Sequence, residues 1–411
     1  MKSLVIRGSF RGPTGYDRCV RGFARALHDQ GVAIELRDIP EWSVAKMPPG
    51  MQDPFFASLE RPLDDAQTVL QFCTPLGALR YSGMLNVNYT MFEATHVLPA
   101  WAEESRRHDL VIVPTESSRH AWIQSGLPAH RIQICPQGVD LSAYSSAVAP
   151  LPVHAADGFS ISGYRVRFLN ISEFSARKNL IGLLHAWIEG TSATDDAVLA
   201  VKIGCYVSGA WERFLSQVDL LEQRIGKDLR EAAPVAFVRG TIADAEMPRL
   251  YAAATHYITL SFGEGWDLPA TEAAASGLKI IAPAHSAYLA YLDSQIATLI
   301  PSREVPAQDP DDPGMDELFR GAHWWEPDRS SAIEAIRAAI ENRDAHLGSA
   351  RTRILSQFTW EKAARRLTEI LDEREALRAR IPRFSSLRSN RGGSTEPPHS
   401  PPDVPPAPNP R

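Results

Sequence analysis

Short apolar runs alternate with amphipathic segments from the start of the chain. Residues 4–6 have the composition of a buried strand, and Val20, Phe23, Ala24 and Leu27 then recur at helical spacing. Further strands are predicted at 32–36, 68–72, 85–89, 110–113 and 131–134, and helices at 99–108 and 116–125. A strand, a helix and another strand in succession form a βαβ unit. The first part of the chain is therefore predicted to contain a parallel sheet.

The same alternation resumes after a break. Residues 141–162 are rich in Ala, Ser, Pro and Gly and show little periodicity, which is typical of a linker. Beyond them, strands are predicted at 167–171, 198–203, 235–238, 257–260 and 278–282, with helices between them. Two successive βα series favour an α/β protein with two doubly wound, Rossmann-like domains that face a cleft. Such clefts are common ligand sites.

These patterns divide the chain into parts. Residues 1–150 and 163–356 are the two predicted domains, and a long helix is predicted at 360–380. After residue 383, Ser, Pro, Asn and Gly dominate, so residues 384–411 are predicted to be disordered. Arginines and apolar residues interleave where the helix enters this tail, which suits either adhesion to anionic lipid or a solvated helix end.

Composition and charge exclude several classes of protein. With 411 residues, 44% of them hydrophobic and 22% charged, the chain is typical of globular proteins and long enough for two cores. A net charge of −6 argues against nucleic acid as a partner. The four cysteines form no C-x-x-C pair, which argues against a zinc cluster and a disulfide framework. Apolar runs are too short for a signal peptide or a bilayer span, so we expect a cytoplasmic protein, with a peripheral contact at the inner membrane face left open.

The most informative segment is SFGEGWDLPATE at residues 261–272, in which Glu264 and Glu272 are separated by seven residues. It follows a predicted strand and enters a helix predicted at 270–276, so it lies at the carboxyl edge of a parallel sheet, where open α/β folds bind ligands. A helix start offers unpaired N–H groups and a partial positive charge to phosphate. We predict that both carboxylates converge on one ligand, which has its phosphate at the amides. A solvated loop with an ordinary helix face is the alternative.

This segment resembles the donor site of nucleotide-sugar glycosyltransferases. Its E-x7-E pattern, followed by a small-residue helix and G-x-x-I-I-A-P at 277–283, is similar to the retaining glycosyltransferases of family 4, which have the GT-B fold. The resemblance implies that Glu264 lies near the donor sugar and that Glu272 binds the ribose of the nucleotide. It also implies a terminal helix, at 357–381, that packs back on the first domain. The diphosphate is expected at the backbone amides of Gly265, Trp266, Asp267 and Leu268.

A basic pair, Arg177 and Lys178, precedes the helix predicted at 180–189. The helix dipole disfavours cations at this end, and a bound diphosphate would remove the conflict. The resemblance implies that the pair neutralises the departing nucleoside diphosphate, so Glu264, Arg177 and Lys178 are the candidate catalytic residues. Many family members carry a further arginine at the position of Glu173. A solvated basic turn is the alternative.

The first domain contributes the candidate acceptor side. Gly8, Gly12 and Gly15 lie in the first βα loop, but their spacing is not the G-x-G-x-x-G of dinucleotide-binding proteins. The resemblance implies that this loop covers the donor phosphate, with Gly15 as the best match and Thr14 facing the acceptor. Glu93 stands where many relatives have a histidine. It is either an acceptor-side contact or a structural cap.

These observations predict a metal-independent, retaining glycosyltransferase without a cofactor. The donor would be a UDP- or GDP-sugar, and the acceptor a hydroxyl of a glycan, a lipid-linked glycan or a small molecule. A catalytically inactive GT-B protein that binds sugars is one alternative, which the departures from the family pattern at Glu93 and Glu173 leave open. A nicotinamide-dependent oxidoreductase is another, which the irregular glycine loop disfavours. Trp324 and Trp325 have no predicted role beyond packing.

Overall fold

A computed structural model describes residues 1–42, 45–145, 147–154, 158–206, 208–345 and 347–380. The predicted disordered segment 384–411 lies outside the described residues. Among the described helices, none is both long enough and apolar enough to cross a lipid bilayer.

Two parallel six-stranded sheets form the centre of the molecule. The N-terminal sheet has the strand order 2-1-3-4-5-6 and consists of β1 (Ser3–Gly8), β2 (Ala33–Arg37), β3 (Thr68–Phe72), β4 (Leu85–Tyr89), β5 (Leu110–Val113) and β6 (Ile132–Ile134). The C-terminal sheet has the order 12-11-10-7-8-9 and consists of β7 (Val166–Glu173), β8 (Ala197–Gly204), β9 (Val235–Val238), β10 (His256–Ile258), β11 (Lys279–Pro283) and β12 (Thr298–Ile300). Two doubly wound α/β units confirm the predicted fold class.

Helices cover the faces of both sheets, which explains why strands such as β8 are buried over their whole length. The helices are α1 (Gly15–Asp29), α2 (Pro54–Ser58), α3 (Pro99–Ser105), α4 (Glu116–Gln124), α5 (Leu141–Ser145), α6 (Leu180–Gly190), α7 (Ala210–Ile225), α8 (Met247–Ala252), α9 (Leu268–Ala275), α10 (Pro313–Leu318), α11 (Arg329–Ile340), α12 (Arg351–Gln357) and α13 (Trp360–Arg380). Several element ends differ from the prediction by a few residues, and two differences bear on the site and the linker. The helix expected at 270–276 begins at Leu268, because Asp267 caps it, and the expected linker contains α5.

An antiparallel hairpin, β13 (Ser302–Pro306) and β14 (His323–Pro327), projects from the C-terminal sheet and was not predicted. It reaches the N-terminal half, where Trp324 packs in one apolar cluster with Phe92 and Trp101. Two hydrogen bonds join Thr95 and His323, with N···O distances of 3.1 Å and 2.9 Å. The hairpin therefore connects the two halves at the cleft.

The last helix also crosses between the halves. On α13, Ala363, Leu367 and Leu371 are buried in the same cluster as Val20 and Phe23 of α1. Gly22 of α1 lies directly beneath the indole of Trp360, where an added Cβ would be 2.3 Å from the ring. The contact between the two helices therefore requires a residue without a side chain.

We expect Gly22→Ala to destabilise the protein by about 1–2 kcal/mol. Overpacking typically costs about 1–3 kcal/mol, and a Cβ at 2.3 Å from a rigid indole lies in the upper part of that range, while replacing a helical glycine by alanine returns about 1 kcal/mol. Urea unfolding followed by tryptophan fluorescence measures the difference. Gly50→Ala is the matched control, since a Cβ at Gly50 meets no atom within 4 Å. Equal midpoints for both variants would contradict the packing argument.

Candidate active site

The carboxyl ends of β7 and β10 bring the first group of predicted residues together. These strands are neighbours in the C-terminal sheet, so the loops that follow them emerge at one edge. The Lys178 Nζ atom lies 2.5 Å from Oε1 of Glu264, and Nη1 of Arg177 lies 3.3 Å from its Oε2. Arg177 Nη1 also donates to the Gly263 carbonyl at 2.6 Å. The three candidate catalytic side chains thus form one ion-paired cluster.

Glu264 is ionised in this cluster. The residue is 4% exposed, and burial alone would raise its pKa. The charges of Lys178 and Arg177, with hydrogen bonds from Lys178 and Ser261, outweigh burial and lower the pKa of Glu264 below its ordinary value. Moving the Glu264 carboxylate away from either cation would leave a buried charge poorly compensated. The two ion pairs therefore hold the carboxylate in place.

The residues after Glu264 offer a row of unused donors. Within the described part of the chain, the backbone N–H groups of Gly265, Trp266, Asp267 and Leu268 have no hydrogen-bond acceptor, although all four residues are buried. Buried N–H groups without a partner are rare, because each carries a desolvation penalty. Consecutive N–H groups at the start of a helix bind anions.

Asp267 shapes this turn. It adopts a left-handed backbone conformation (φ 66°), and its Oδ1 accepts from the N–H of Ala270 as the N-cap of α9. Its other oxygen accepts from the Tyr288 hydroxyl at 2.8 Å. Burial and the nearby Glu264 carboxylate raise the pKa of Asp267 to about 6. The Trp266 side chain is buried in the core, so only the backbone of this residue is placed to contact a ligand.

Glu272 lies in a second cluster rather than beside Glu264. Its carboxylate forms an ion pair with Arg18 of α1 and accepts from the Tyr251 hydroxyl at 2.8 Å. Asp244 also pairs with Arg18, at 3.6 Å. Burial raises the pKa of Glu272 above its ordinary value, although Arg18 and Tyr251 oppose the shift. Each half of the protein therefore contributes to this end of the cleft.

Sequence reasoning missed Arg18 and Tyr251. Arg18 lies one helical turn after Thr14, at the start of a helix whose dipole disfavours a cation. The conflict between a cation and the helix dipole that distinguishes Arg177 therefore applies to Arg18 as well. Tyr251 lies within an ordinary amphipathic helix, α8, and nothing in the sequence distinguishes it.

The N-terminal half approaches the basic pair through Glu93. Its Oε1 lies 4.0 Å from Nη2 of Arg177. The Glu93 carbonyl comes so close to Gly263 that a Cβ there would be 2.0 Å from it. Thr14 is the N-cap of α1, and its hydroxyl is bonded to Asp17 in a capping box. Gly15 is exposed, and no atom lies within 4 Å of the place where its Cβ would be.

In the described ranges, no three His, Cys, Asp or Glu side chains lie close enough together to hold a metal ion. The structure thus brings Arg177, Lys178, Glu264 and Glu93 together and places Glu272 with Arg18 further along the cleft. The free amides of residues 265–268 lie between the two clusters in sequence.

Several solved structures share this architecture. Sucrose-phosphate synthase from Thermosynechococcus elongatus superposes with a TM-score of 0.62 at 15% identity, covering 92% of this chain and 100% of that one. HepE from Anabaena, in complex with UDP and glucose, gives 0.57 at 13% identity, covering 91% and 100%. The lipopolysaccharide outer core galactosyltransferase WaaB, in its apo form, gives 0.57 at 10% identity, covering 91% and 99%.

These neighbours establish the fold. No protein-family model matches the sequence, and no curated protein matches it either. At such low identity the likeness concerns architecture, which extends over nine-tenths of the chain. The protein has the GT-B fold, in which two Rossmann-like units face a cleft.

Proposed function

We propose that this protein is a retaining glycosyltransferase that moves a sugar from a nucleoside diphosphate sugar to a hydroxyl acceptor. The observation that carries the proposal is the row of four backbone N–H groups without an acceptor, at the buried residues 265–268. It follows an ionised carboxylate that is held by two cations, and it precedes a second carboxylate at Glu272. A ligand with an anionic centre and hydroxyl groups on both sides fits this order.

The donor class follows from the same arrangement. The diphosphate would accept hydrogen bonds from the free amides and approach Arg177 and Lys178. A carboxylate has about four acceptor sites, so Glu272 can keep Arg18 and Tyr251 and still accept from two ribose hydroxyls. HepE, which has the same fold, was crystallised with UDP and glucose. A UDP-sugar is therefore the first donor to test, with GDP-sugars next.

The proposed reaction needs no nucleophile from the protein. A bond forms between the acceptor oxygen and the anomeric carbon on the face from which the diphosphate leaves. The bond between that carbon and the phosphate oxygen breaks, and the acceptor proton passes to a departing phosphate oxygen. Arg177, Lys178 and the amides stabilise the charge that develops there, in a site that needs no reorganisation. Glu264 holds the sugar and orients both cations.

The acceptor would enter from the N-terminal half, where Glu93 faces Arg177. A carboxylate at this position accepts a hydrogen bond from a hydroxyl and so orients the attacking oxygen. Glycans, lipid-linked glycans and small molecules all present such hydroxyls. Closure of the two halves over the donor would exclude water and limit hydrolysis.

A panel of UDP- and GDP-sugars, scored by thermal shift, tests the donor. A ligand at 100 times its dissociation constant stabilises the native state by about 2.7 kcal/mol, so one or a few nucleotides are expected to raise Tm. Release of nucleoside diphosphate with candidate acceptors tests transfer, and NMR of the product reports the anomeric configuration. Binding without transfer to any acceptor would favour an inactive sugar-binding protein. Absence of any shift across the panel would refute a nucleotide-sugar site.

A further inference from the structure

The loop that carries Glu264, residues 261–264, forms three hydrogen bonds with the segment after β11 and with β14, in addition to those it forms with Arg177. The Ser261 carbonyl lies 3.0 Å from Nε2 of His285. The Phe262 carbonyl accepts from the Trp325 backbone N–H at 2.9 Å. The Glu264 N–H donates to the Ser286 hydroxyl at 3.2 Å. The segment after β11 and strand β14 therefore hold this loop together with Arg177.

The hydrogen-bond chain through His285 has a single consistent direction. His285 is 4% exposed, and burial lowers its pKa to about 4, so the ring is neutral near pH 7. A carbonyl only accepts, so Nε2 carries the proton that bonds Ser261. Nδ1 is then an acceptor and receives a hydrogen bond from the Ser286 hydroxyl, with an N···O distance of 2.9 Å. The Ser286 oxygen consequently keeps its lone pairs for the Glu264 N–H.

Aromatic rings of the hairpin cover the hydrogen bonds formed by His285 and the Glu264 loop. The Trp325 indole stacks on the His285 imidazole, with ring centres 5.4 Å apart and planes at 19°. Trp324 stacks on Phe262 at 5.9 Å and 16°. Because β14 is also bonded to Thr95, the loop is tied to the contact between the two halves. The tryptophan pair without a predicted role thus lies directly on the Glu264 loop.

Ser286 shows that this arrangement has an energetic cost. Its backbone φ is 44°, in the left-handed region that non-glycine residues rarely adopt. Glycine would relieve the backbone but would lack the hydroxyl that joins His285 to Glu264. A residue that is unfavourable for the backbone and makes two side-chain hydrogen bonds points to a role for the hydroxyl.

We propose that His285, Ser286 and Trp325 are positioning residues that hold the Glu264 loop in the geometry needed for transfer. The proposal rests on the proposed function of Glu264. These residues contact the Glu264 backbone and its neighbours, while the carboxylate contacts Arg177 and Lys178. These three residues form a clamp on the loop. Loosening this clamp displaces the Glu264 carboxylate and both cations from the reacting centre. The start of α9 and the Glu272 cluster have contacts of their own, through Asp267 with Ala270 and Tyr288 and through Glu272 with Arg18 and Tyr251, so they should stay in place.

Ser286→Gly is the decisive variant. It relieves the backbone and removes the acceptor of the Glu264 N–H, two effects of opposite sign on stability, so Tm should change little. We expect kcat to fall by about tenfold or more, since small misplacements of reacting groups have large effects on rate, with the donor KM changed less than about threefold. Trp325→Ala should act in the same direction, and Trp325→Phe should recover part of the rate because the stack persists. Asn342→Gly is the matched control, since Asn342 also has a positive φ (58°) and lies outside this loop.

Hydrogen–deuterium exchange separates this proposal from the proposed function. In Ser286→Gly, peptides covering residues 261–264 should exchange at least tenfold faster than in the wild type, whether or not a donor has been found. Unchanged exchange would overturn the clamp. Faster exchange with wild-type kcat would also overturn it, because the clamp would then have no bearing on transfer. Faster exchange in Ser286→Gly, combined with a wild-type protein that shows no transfer with any donor, would refute the proposed function instead and leave the clamp as a feature of the fold.

Discussion

Replacing Lys178 by methionine is expected to lower the rate of sugar transfer by about 10²–10³-fold, the usual effect of removing one donor that stabilises charge in a transition state. Methionine keeps the length of the side chain and removes the charge that lies 2.5 Å from Glu264. Charge on the phosphate oxygens grows as the sugar departs, so the lysine contributes more to the transition state than to the bound donor. The loss should therefore fall mainly on kcat. Release of nucleoside diphosphate at saturating donor measures it.

Two further variants separate the effect of the Lys178 charge on the rate from its effect on stability. Lys362→Met removes an exposed lysine on α13 and should leave the rate unchanged. Lys178→Met combined with Glu264→Gln restores the local charge balance, so it should recover any lost stability without recovering the rate. A single Lys178→Met variant with wild-type kcat would show that the basic pair is a structural ion pair and that the site is wrong.

Glu272→Ala is expected to weaken binding of the donor nucleotide by about 10- to 100-fold. Hydrogen bonds to a charged group contribute about 1.5–3 kcal/mol, and the proposed ribose contacts are of this kind. Because these contacts are equal in the bound donor and the transition state, kcat at saturating donor should change little. Titration calorimetry with UDP or GDP measures the affinity directly.

The ion pair with Arg18 complicates this variant, because Glu272→Ala also removes a contact between the two halves. Arg18→Leu removes the same contact and keeps the carboxylate, so it isolates the ribose contribution. Glu373→Ala, at an exposed position on α13, is the neutral control. Wild-type affinity in Glu272→Ala would place the ribose elsewhere in the cleft.

The sequence alone predicted most of the strands. The runs at 68–72, 85–89, 110–113 and 235–238 agree with the structure at both ends, and the order of the two series predicted the two parallel sheets. This works because a strand buried on both faces is a short continuous apolar run, and that property is local. The hairpin of β13 and β14 was not predicted, because its strands lack such a continuous apolar run. Its strands are half exposed, and the segment between them is rich in Pro and Asp.

The candidate site was likewise predictable from the sequence only in part. Glu264, Arg177 and Lys178 are recognisable in the sequence because they follow predicted strands and match a family pattern, and the loops after parallel strands emerge at one edge of the sheet. The pairing of Arg18 with Glu272, the approach of Glu93 to Arg177 and the clamp of His285 and Trp325 were decided only by the tertiary structure. Each joins side chains from elements that are far apart in the chain. Their distance depends on how helices and halves pack, and no periodicity or spacing in the sequence encodes it.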